Sequence, residues 1–215
     1  MPGLFITFEG TEGSGKSTHV RLLAERLETA GRKTRMLREP GGTPIGEEIR
    51  HTLKHSQQNH AMTAEAELLL MNASRAQLVR EVIRPALAAG EVVVCDRFYD
   101  STMAYQGYGR QLNLELVRGV VNFAVEETRP ALTFLLTVPL AISESRRATR
   151  QAREGIIRDR IEEADRAFFE RVEEGFRVIA KAEPWRIVVL DSTQSQAQVA
   201  EEIWRRVGEK IGAPG

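Results

Sequence analysis

A glycine-rich stretch near the start of the chain, FEGTEGSGKST at residues 8–18, has the residue types that hold a chain of phosphates. Its spacing, Gly10-x-x-x-x-Gly15-Lys16-Ser17, matches the P-loop pattern between a predicted strand and a predicted helix. In such a loop, backbone N–H groups turn toward phosphate oxygens, and the lysine adds a positive charge near the β and γ phosphates. The stretch therefore predicts a nucleoside triphosphate site. The candidate residues for this site are Gly10, Thr11, Glu12, Gly13, Ser14, Gly15, Lys16, Ser17 and Thr18.

Charged residues follow two other predicted strands and could serve a second phosphate. Arg38 follows the second strand, and Asp96 and Arg97 follow the third. Ligands of open α/β sheets bind beyond the carboxyl ends of the strands, so we expect these residues to converge with the P-loop. The Ser17 hydroxyl and the Asp96 carboxylate are our candidate ligands for Mg²⁺, and an arginine can bind a phosphate through two N–H groups. The alternative for any single arginine is an ordinary surface charge.

A segment dense in arginine, SRRATRQAREGIIRDR at residues 145–160, predicts a lid over the transferring phosphoryl group, which we place at about residues 143–160. Phosphoryl transfer is catalysed mainly by positioning and charge neutralisation, and guanidinium groups suit both tasks. Gly155 interrupts the helical pattern of the segment and offers a hinge. The alternative is a solvated helix face, on which the arginines pair with Glu144, Glu154 and Asp159.

The elements that must position these residues alternate between short apolar strands and long helical patterns, which predicts a parallel sheet. The strand candidates are residues 4–8, 34–37, 92–95, 132–138 and 187–190. The helical patterns cover residues 16–30, 44–53, 63–89, 114–127, 140–151, 162–181 and 196–211, and Pro85 should kink or end the third. Because the central strands are continuously apolar, helices should cover both faces of the sheet. The fold class is a three-layer α/β/α P-loop fold with a five-stranded parallel sheet.

Length and composition favour a single domain over residues 1–215, with 30 Lys and Arg balanced by 30 Asp and Glu. This balance gives no support for a nucleic-acid or membrane-surface partner. The start has no signal-peptide pattern, and no apolar run approaches the roughly 18 residues of a spanning helix, so we expect a cytoplasmic protein. Cys95 is the only cysteine and closes an apolar run, which predicts a buried strand cysteine.

Several motifs together resemble the thymidylate kinases, and the resemblance extends over residues 4–211. The motifs are FEGTEGSGKST, REPGGT, SRAQLV, DRFYDSTMAYQGYGR, RPALTFLL and RDRIE. The resemblance implies an enzyme that uses ATP and Mg²⁺ to phosphorylate dTMP to dTDP in dTTP biosynthesis, usually as a homodimer. Glu12 in the loop, with Arg150 and Arg153 in the lid, is similar to the bacterial type of the family.

The resemblance also implies roles for individual residues. The implied catalytic residues are Lys16, Arg97, Arg150 and Arg153, with Arg153 preferred between the two lid arginines. The implied dTMP-binding residues are Glu9, Arg38, Pro40, Arg50, Met71, Arg75, Arg97, Ser101, Tyr105 and Gln106. Of these, Arg75 is expected to face the base, Ser101 to contact the thymine edge and Tyr105 to lie against the sugar. Met71 occupies a position where many relatives stack a phenylalanine on the base, and the alternative for Met71 is a core methionine.

The sequence leaves three alternatives to a kinase of dTMP. The acceptor could be another nucleotide such as dUMP, because a hydrophobic pocket gains only about 1–3 kcal/mol from the extra methyl group of thymine. The chain could instead be a P-loop ATPase without a small acceptor, although a second set of phosphate-binding arginines has no purpose in a simple switch. A DNA-binding role is the weakest, because the basic residues are balanced by acids.

Overall fold

The computed structural model describes residues 3–56, 58–154, 160–161 and 163–211, without the side chains of residues 150, 153 and 154. In this part of the chain five strands form one parallel sheet, and each predicted strand is present. The strands are β1 (Leu4–Glu9), β2 (Thr34–Arg38), β3 (Val92–Asp96), β4 (Leu132–Thr137) and β5 (Ile187–Asp191). Their order across the sheet is β2-β3-β1-β4-β5, so the strand that leads into the P-loop lies in the centre.

Helices connect the strands, and each of the predicted helical patterns overlaps at least one helix. The helices of the described residues are α1 (Lys16–Thr29), α2 (Pro44–Lys54), α3 (Ala64–Leu78), α4 (Arg84–Ala88), α5 (Tyr99–Thr102), α6 (Leu114–Val125), α7 (Leu140–Glu154), α8 (Arg166–Ala182) and α9 (Gln196–Ile211). α8 begins later than predicted, because the Asp165 carboxylate accepts a hydrogen bond from the backbone N–H of Phe168 (2.7 Å) and caps the helix at that point.

Two π-helical segments interrupt the regular helices. The predicted long helix at residues 63–89 divides into α3 and α4 around the π-helical turn Val79–Ile83. Pro85, which was predicted to kink or end the helix, has no N–H for the helical ladder and is the second residue of α4, just after this turn. The other π-helical segment, Met103–Gly109, continues α5. Neither was expected: α5 has only four residues, and Gly107 and Gly109 give the π-helical segment the composition of a loop.

Helices cover both faces of the sheet, which confirms the predicted three-layer fold. α1 and α9 pack on one face, where Leu23 and Ile203 join Phe8 and Phe134 in one core. α3, α6 and α8 cover the other face together with the segment Met103–Gly109. The central strands β1, β3 and β4 are buried on both faces as predicted, and Cys95 is buried within β3. The edge strands β2 and β5 are less covered, since Met36 is 56% exposed and Val189 is 54% exposed. No helix in the described ranges is long and apolar enough to span a membrane.

α8 packs closely against the π-helical segment Met103–Gly109, which carries predicted site residues. The closest approach is at two glycines, one in each element. A Cβ at Gly109 would lie 2.6 Å from the ring of Phe168, and a Cβ at Gly175 would lie 2.8 Å from the ring and 2.9 Å from the Cβ of Tyr108. The absence of side chains at these two positions therefore lets α8 support the segment from behind.

Gly175→Ala is expected to lower the free energy of unfolding by about 1–3 kcal/mol, because the new methyl group overpacks against Tyr108. The matched control is Gly119→Ala in α6, where a Cβ would meet no atom within 4 Å. In the control, better helix propensity should raise the free energy of unfolding by up to about 1 kcal/mol. Urea unfolding followed by circular dichroism measures both changes. Shifts of the same sign and size in the two variants would contradict the close packing.

Candidate active site

The P-loop connects the end of β1 to the start of α1 and takes a backbone shape that requires glycine. Gly10 has a φ of 135° and Gly15 a φ of 93°, both in the left-handed region. A Cβ at Gly10 would also lie 2.3 Å from the carbonyl oxygen of Leu136. The ammonium of Lys16 donates to the carbonyl oxygens of Gly10 (3.0 Å) and Thr11 (2.8 Å). Burial and the nearby Arg97 lower the pKa of Lys16 to about 8.

Side chains from two neighbouring strand ends fix the outer side of the P-loop. The Ser143 hydroxyl in α7 donates to the carbonyl oxygen of Glu12 (2.6 Å). The Ser192 hydroxyl, just after β5, donates to the carbonyl oxygen of Ser14 (2.6 Å), and Arg146 donates to the carbonyl oxygen of Ser192 (3.1 Å). The sequence did not point to Ser143 or Ser192, and it indicated Arg146 only as one arginine of the predicted lid segment. Their positions just beyond β4 and β5 are the signal that could have identified them.

The predicted magnesium ligands lie side by side next to the P-loop. The Ser17 hydroxyl donates to Oδ2 of Asp96 at 2.5 Å. Magnesium is usually bound by one or two protein oxygens together with substrate phosphates and water. A hydroxyl and a carboxylate next to a phosphate-binding loop fit that requirement, so the donor set suits the predicted ion.

Arg97 lies between the P-loop and the segment that follows β3. Its backbone has a φ of 72°, which is unusual for any residue other than glycine. Its guanidinium donates to the carbonyl oxygen of Gly10 (3.0 Å), to the Ser101 hydroxyl (3.0 Å) and to the Glu12 carboxylate (2.7 Å). Burial alone would raise the pKa of Glu12, but Arg97 and Lys16 outweigh it and hold that pKa well below its ordinary value. The predicted catalytic pair, Lys16 and Arg97, therefore converges, and Arg97 is the partner of Glu12.

A cavity opens beside Arg97, between the P-loop, α3 and the segment after β3. It is lined by most of the predicted dTMP-binding residues, namely Pro40, Met71, Arg75, Arg97, Ser101, Tyr105 and Gln106. Glu12 lines it as well, together with residues that were not expected, which are Glu39, Lys54, Phe98, Thr102 and Ile161. The described lining does not include Arg38 or Arg50, which instead donate to the carbonyl oxygen of Pro40 at 3.1 and 2.9 Å.

Glu9 lies behind the cavity wall and holds that wall in place. Its carboxylate accepts hydrogen bonds from the backbone N–H of Phe98 (2.7 Å) and from the Ser101 hydroxyl (2.5 Å). Burial, and then the charge of Asp100, raise the pKa of Glu9 to about 8. The hydroxyl of Ser101 therefore serves Glu9 and Arg97 in this structure.

Arg75 is 2% exposed and uses all five of its N–H groups within the protein. Nε and Nη2 donate to Oε2 of Glu39 at 2.9 and 2.7 Å. Nη1 donates to Oδ1 of Asn72 (2.8 Å) and to the Thr102 hydroxyl (2.9 Å). Nη2 also donates to the carbonyl oxygen of Phe98 (3.2 Å). Arg75 thus joins three walls of the cavity. Because Thr102 accepts from Arg75, its own hydroxyl hydrogen remains available to a ligand.

The remaining predicted residues lie along two sides of the cavity. Met71 is partly buried on α3 and faces the cavity. The ring of Tyr105 lies 5.1 Å below the guanidinium of Arg97, and burial raises the pKa of Tyr105 to about 12. The amide of Gln106 donates to Glu67 (2.8 Å), a buried carboxylate that also accepts from Arg110 (3.0 Å). Glu67 was not predicted, since its partners are far from it in sequence.

The lid prediction is only partly covered by the described residues. α7 spans most of the predicted segment. The side chains of Arg150 and Arg153, and the proposed hinge at Gly155, lie outside the described part of the chain. Their roles remain predictions.

A P-loop on the central strand, with an arginine-lined cavity directly beside it, is the arrangement of a P-loop kinase that acts on nucleoside monophosphates. Comparison with known proteins narrows this class. The family model described as thymidylate kinase matches residues 8–203. The chain therefore belongs to the thymidylate kinase family.

Individual relatives agree with this assignment over nearly the whole chain. The thymidylate kinase of Deinococcus radiodurans is 46% identical over 210 residues, which is 97% of this chain and 98% of that protein. The thymidylate kinase of Pseudomonas syringae pv. tomato is 48% identical over 211 residues, with 98% of each chain covered. The crystal structure of thymidylate kinase from Ehrlichia chaffeensis superposes with a TM-score of 0.76 at 32% identity, covering 96% of this chain and 99% of that one. The predicted family is confirmed.

Arg75→Met should lower the free energy of unfolding of the ligand-free protein by about 3–5 kcal/mol, because it leaves Glu39 buried without its partner. The control is Arg38→Met, which breaks an exposed pair with Glu47 (2.9 Å) and should cost about 1 kcal/mol or less. Burial already raises the pKa of Glu39. The loss relative to wild type should therefore shrink as the pH falls, since protonated Glu39 tolerates burial. Urea unfolding at two pH values measures the free energy of unfolding of both variants. Equal losses in Arg75→Met and Arg38→Met would show that the buried pair of Arg75 and Glu39 does not stabilise the cavity walls.

Proposed function

We propose that this chain transfers the γ phosphate of ATP to the 5′ phosphate of dTMP, giving ADP and dTDP for dTTP biosynthesis. The observation that carries the proposal is the position of Arg97. Its guanidinium touches the P-loop at Gly10 and the acceptor cavity at Ser101, each at 3.0 Å. A cation in that position neutralises the phosphoryl group as it passes between the two sites. The family membership supports ATP as donor and dTMP as acceptor.

The chain's own residues account for positioning and charge in the transfer. The P-loop N–H groups bind the ATP phosphates, and Lys16 turns from the carbonyl oxygens of Gly10 and Thr11 toward the β and γ phosphates. A phosphate oxygen of dTMP attacks the γ phosphorus, and the bond from that phosphorus to the β,γ-bridging oxygen breaks, so ADP leaves. The Arg97 guanidinium leaves the Glu12 carboxylate and contacts the phosphoryl group that is being transferred. We assign Arg150 and Arg153 to the same charge neutralisation from the lid.

We further propose that Ser17 and Asp96 hold Mg²⁺ with the ATP phosphates. Their hydroxyl and carboxylate oxygens, 2.5 Å apart, support this assignment. When bound, the ion supplies further neutralisation of phosphate charge.

The acceptor cavity suits a pyrimidine nucleotide whose phosphate points toward Arg97. Met71 lies on one wall at the height of the base, and the free hydroxyl hydrogen of Thr102 can donate to a carbonyl oxygen on the base edge. Arg75 then acts on the base through Thr102. Tyr105 flanks the sugar in this proposal, and Glu9 orients Ser101, whose contact with the thymine edge stays a prediction. Arg38 and Arg50 shape the cavity from outside by holding Pro40, and Gln106 lines the cavity and donates to Glu67 behind it.

We also propose that the chain forms a homodimer through α3 and α6, which pack against each other. Their outer surface exposes large apolar side chains: Leu69 is 58% exposed, Leu116 is 70% exposed and Phe123 is 80% exposed. Such a patch is typical of a protein interface. Sedimentation equilibrium tests this proposal, and a monomer at micromolar concentration would overturn it.

ADP production from ATP and Mg²⁺ tests the proposed function directly. The reaction is run without acceptor and, in parallel, with dTMP, dUMP, dCMP, dGMP or UMP. Turnover should strongly prefer dTMP, vanish with EDTA and fall at least a hundredfold in Arg97→Ala, by analogy with the loss of other transition-state donors. Preference for another acceptor would support kinase activity but refute the proposed contacts between the cavity and the thymine base. Turnover that needs no acceptor would indicate a P-loop ATPase.

Met71→Phe should tighten dTMP binding by up to about tenfold, which corresponds to about 1.4 kcal/mol. An aromatic ring stacked on a base contributes about 1–3 kcal/mol, whereas a sulfur–aromatic contact contributes about 0.3–1.5 kcal/mol. Met71→Leu is the control, since it keeps the volume and loses the sulfur. Calorimetric titration with dTMP measures the Kd of wild type, Met71→Phe and Met71→Leu. Weaker or unchanged binding by the phenylalanine variant would show that residue 71 does not stack on the base.

A further inference from the structure

The segment after β3 carries the residues that connect the two halves of the site, but it has little stability of its own. It begins with the left-handed backbone of Arg97, continues as the four-residue helix α5 and ends in the π-helical segment Met103–Gly109. Isolated helices this short do not hold their shape. The directions of Arg97 and Ser101 must therefore be fixed by contacts between this segment and the rest of the fold.

One such contact lies on the side of α5 that faces away from the acceptor cavity. Asp100 is 2% exposed and Arg186 is 6% exposed. The two oxygens of the Asp100 carboxylate accept separate hydrogen bonds from Nη2 and Nη1 of Arg186, both at 2.8 Å. Two parallel bonds between planar groups fix both the distance and the angle between them. This pair therefore fixes α5 against the start of β5, directly beside Ser101.

Arg186 is itself held rigidly, so it can serve as an anchor. Its Nη1 also donates to the Thr133 hydroxyl in β4 (2.9 Å), and its Nε donates to the Glu183 carboxylate (2.5 Å). The Thr133 hydroxyl in turn lies 2.8 Å from the hydroxyl of Thr7 in β1. Thr7 and Glu9 are two residues apart on one strand and so face the same side of the sheet. The anchor and the carboxylate that holds Ser101 are thus built on the same central strands.

We propose that Asp100 and Arg186 are a positioning pair for phosphoryl transfer, which hold α5 so that Arg97 and Ser101 face the P-loop. This inference rests on the proposed function, and it assigns neither residue a contact with substrate. A buried ion pair is a poor source of net stability, because apolar side chains of similar volume are often as stabilising. The contribution of this pair therefore lies in geometry, and geometry can be separated from stability by experiment.

The main test is the double variant Asp100→Leu with Arg186→Met in the full chain. It removes both charges at once, Thr133 keeps its bond with Thr7, and the half-exposed Glu183 is free to turn to solvent. We expect a melting temperature close to that of wild type, a KM for ATP within twofold and a kcat with dTMP at least tenfold lower. A kcat within twofold of wild type in a protein of normal melting temperature would overturn the proposal.

A matched control removes another arginine fork from a buried carboxylate. Arg35 donates to both oxygens of the buried Glu91 at 2.9 and 3.2 Å, at the amino ends of the strands and far from α5. The double variant Arg35→Met with Glu91→Leu should keep the wild-type kcat. An equal fall in kcat in this control would show that losing any such pair slows the enzyme, and it would refute a specific role for Asp100 and Arg186.

Two further measurements keep the inference testable whatever the first variant does. If the double variant does not fold, Arg186→Lys keeps the charge and loses the fork. A kcat at least threefold lower at unchanged KM for ATP supports the proposal, and an unchanged kcat overturns it. A crystal structure of the ligand-free variant needs no substrate. In that structure we expect Arg97 to have lost its contacts with Glu12 and with the carbonyl oxygen of Gly10. If Arg97 has not moved, the positioning role is overturned. This result does not depend on dTMP turnover, whose absence in wild type would refute the proposed function separately.

Discussion

Two positive charges, the ammonium of Lys16 and the guanidinium of Arg97, donate to the same carbonyl oxygen, that of Gly10, each at 3.0 Å. Cations this close repel each other, and burial together with this repulsion lowers the pKa of Lys16 to about 8. The Glu12 carboxylate compensates by pairing with Arg97. The rest of the site can be understood as the means of holding these two charges together before any phosphate is bound.

Holding them requires a backbone that few sequences tolerate. The P-loop needs glycine at Gly10, where any side chain would strike Leu136, and Arg97 adopts a left-handed conformation that costs about 1–3 kcal/mol. Such strain persists only where the surroundings fix the chain. Glu9 fixes the chain directly after Arg97, because its carboxylate accepts hydrogen bonds from the backbone N–H of Phe98 and from the Ser101 hydroxyl. The strands β1 and β3, which carry these contacts, are buried on both faces and give them a rigid base.

The sequence predicts the fold and the local motif well because both depend on neighbours along the chain. Apolar runs and helical periodicity located the five strands, and the P-loop pattern located Lys16 and Ser17. The pairing of distant side chains was not predictable in this way. Arg97 meets Glu12 across 85 positions and Arg75 meets Glu39 across 36, and such contacts depend on how elements pack rather than on local spacing. The helix α5 was missed for the same reason, since distant contacts rather than its own residues stabilise it.

The contacts of Arg75 show what a family motif does not specify by itself, namely which protein acceptors a side chain holds before a ligand binds. The resemblance placed this arginine against the base, and the cavity does include it, yet every N–H group it owns is already bound to protein acceptors. In the ligand-free chain Arg75 therefore fixes Glu39, Thr102 and the backbone of Phe98, and a direct contact with the base requires it to exchange one of these acceptors, as Lys16 and Arg97 must do for phosphate. An arginine at this position can thus either donate hydrogen bonds to the ligand or hold the residues that contact the ligand. Only the count of donors and acceptors in the folded chain distinguishes the two.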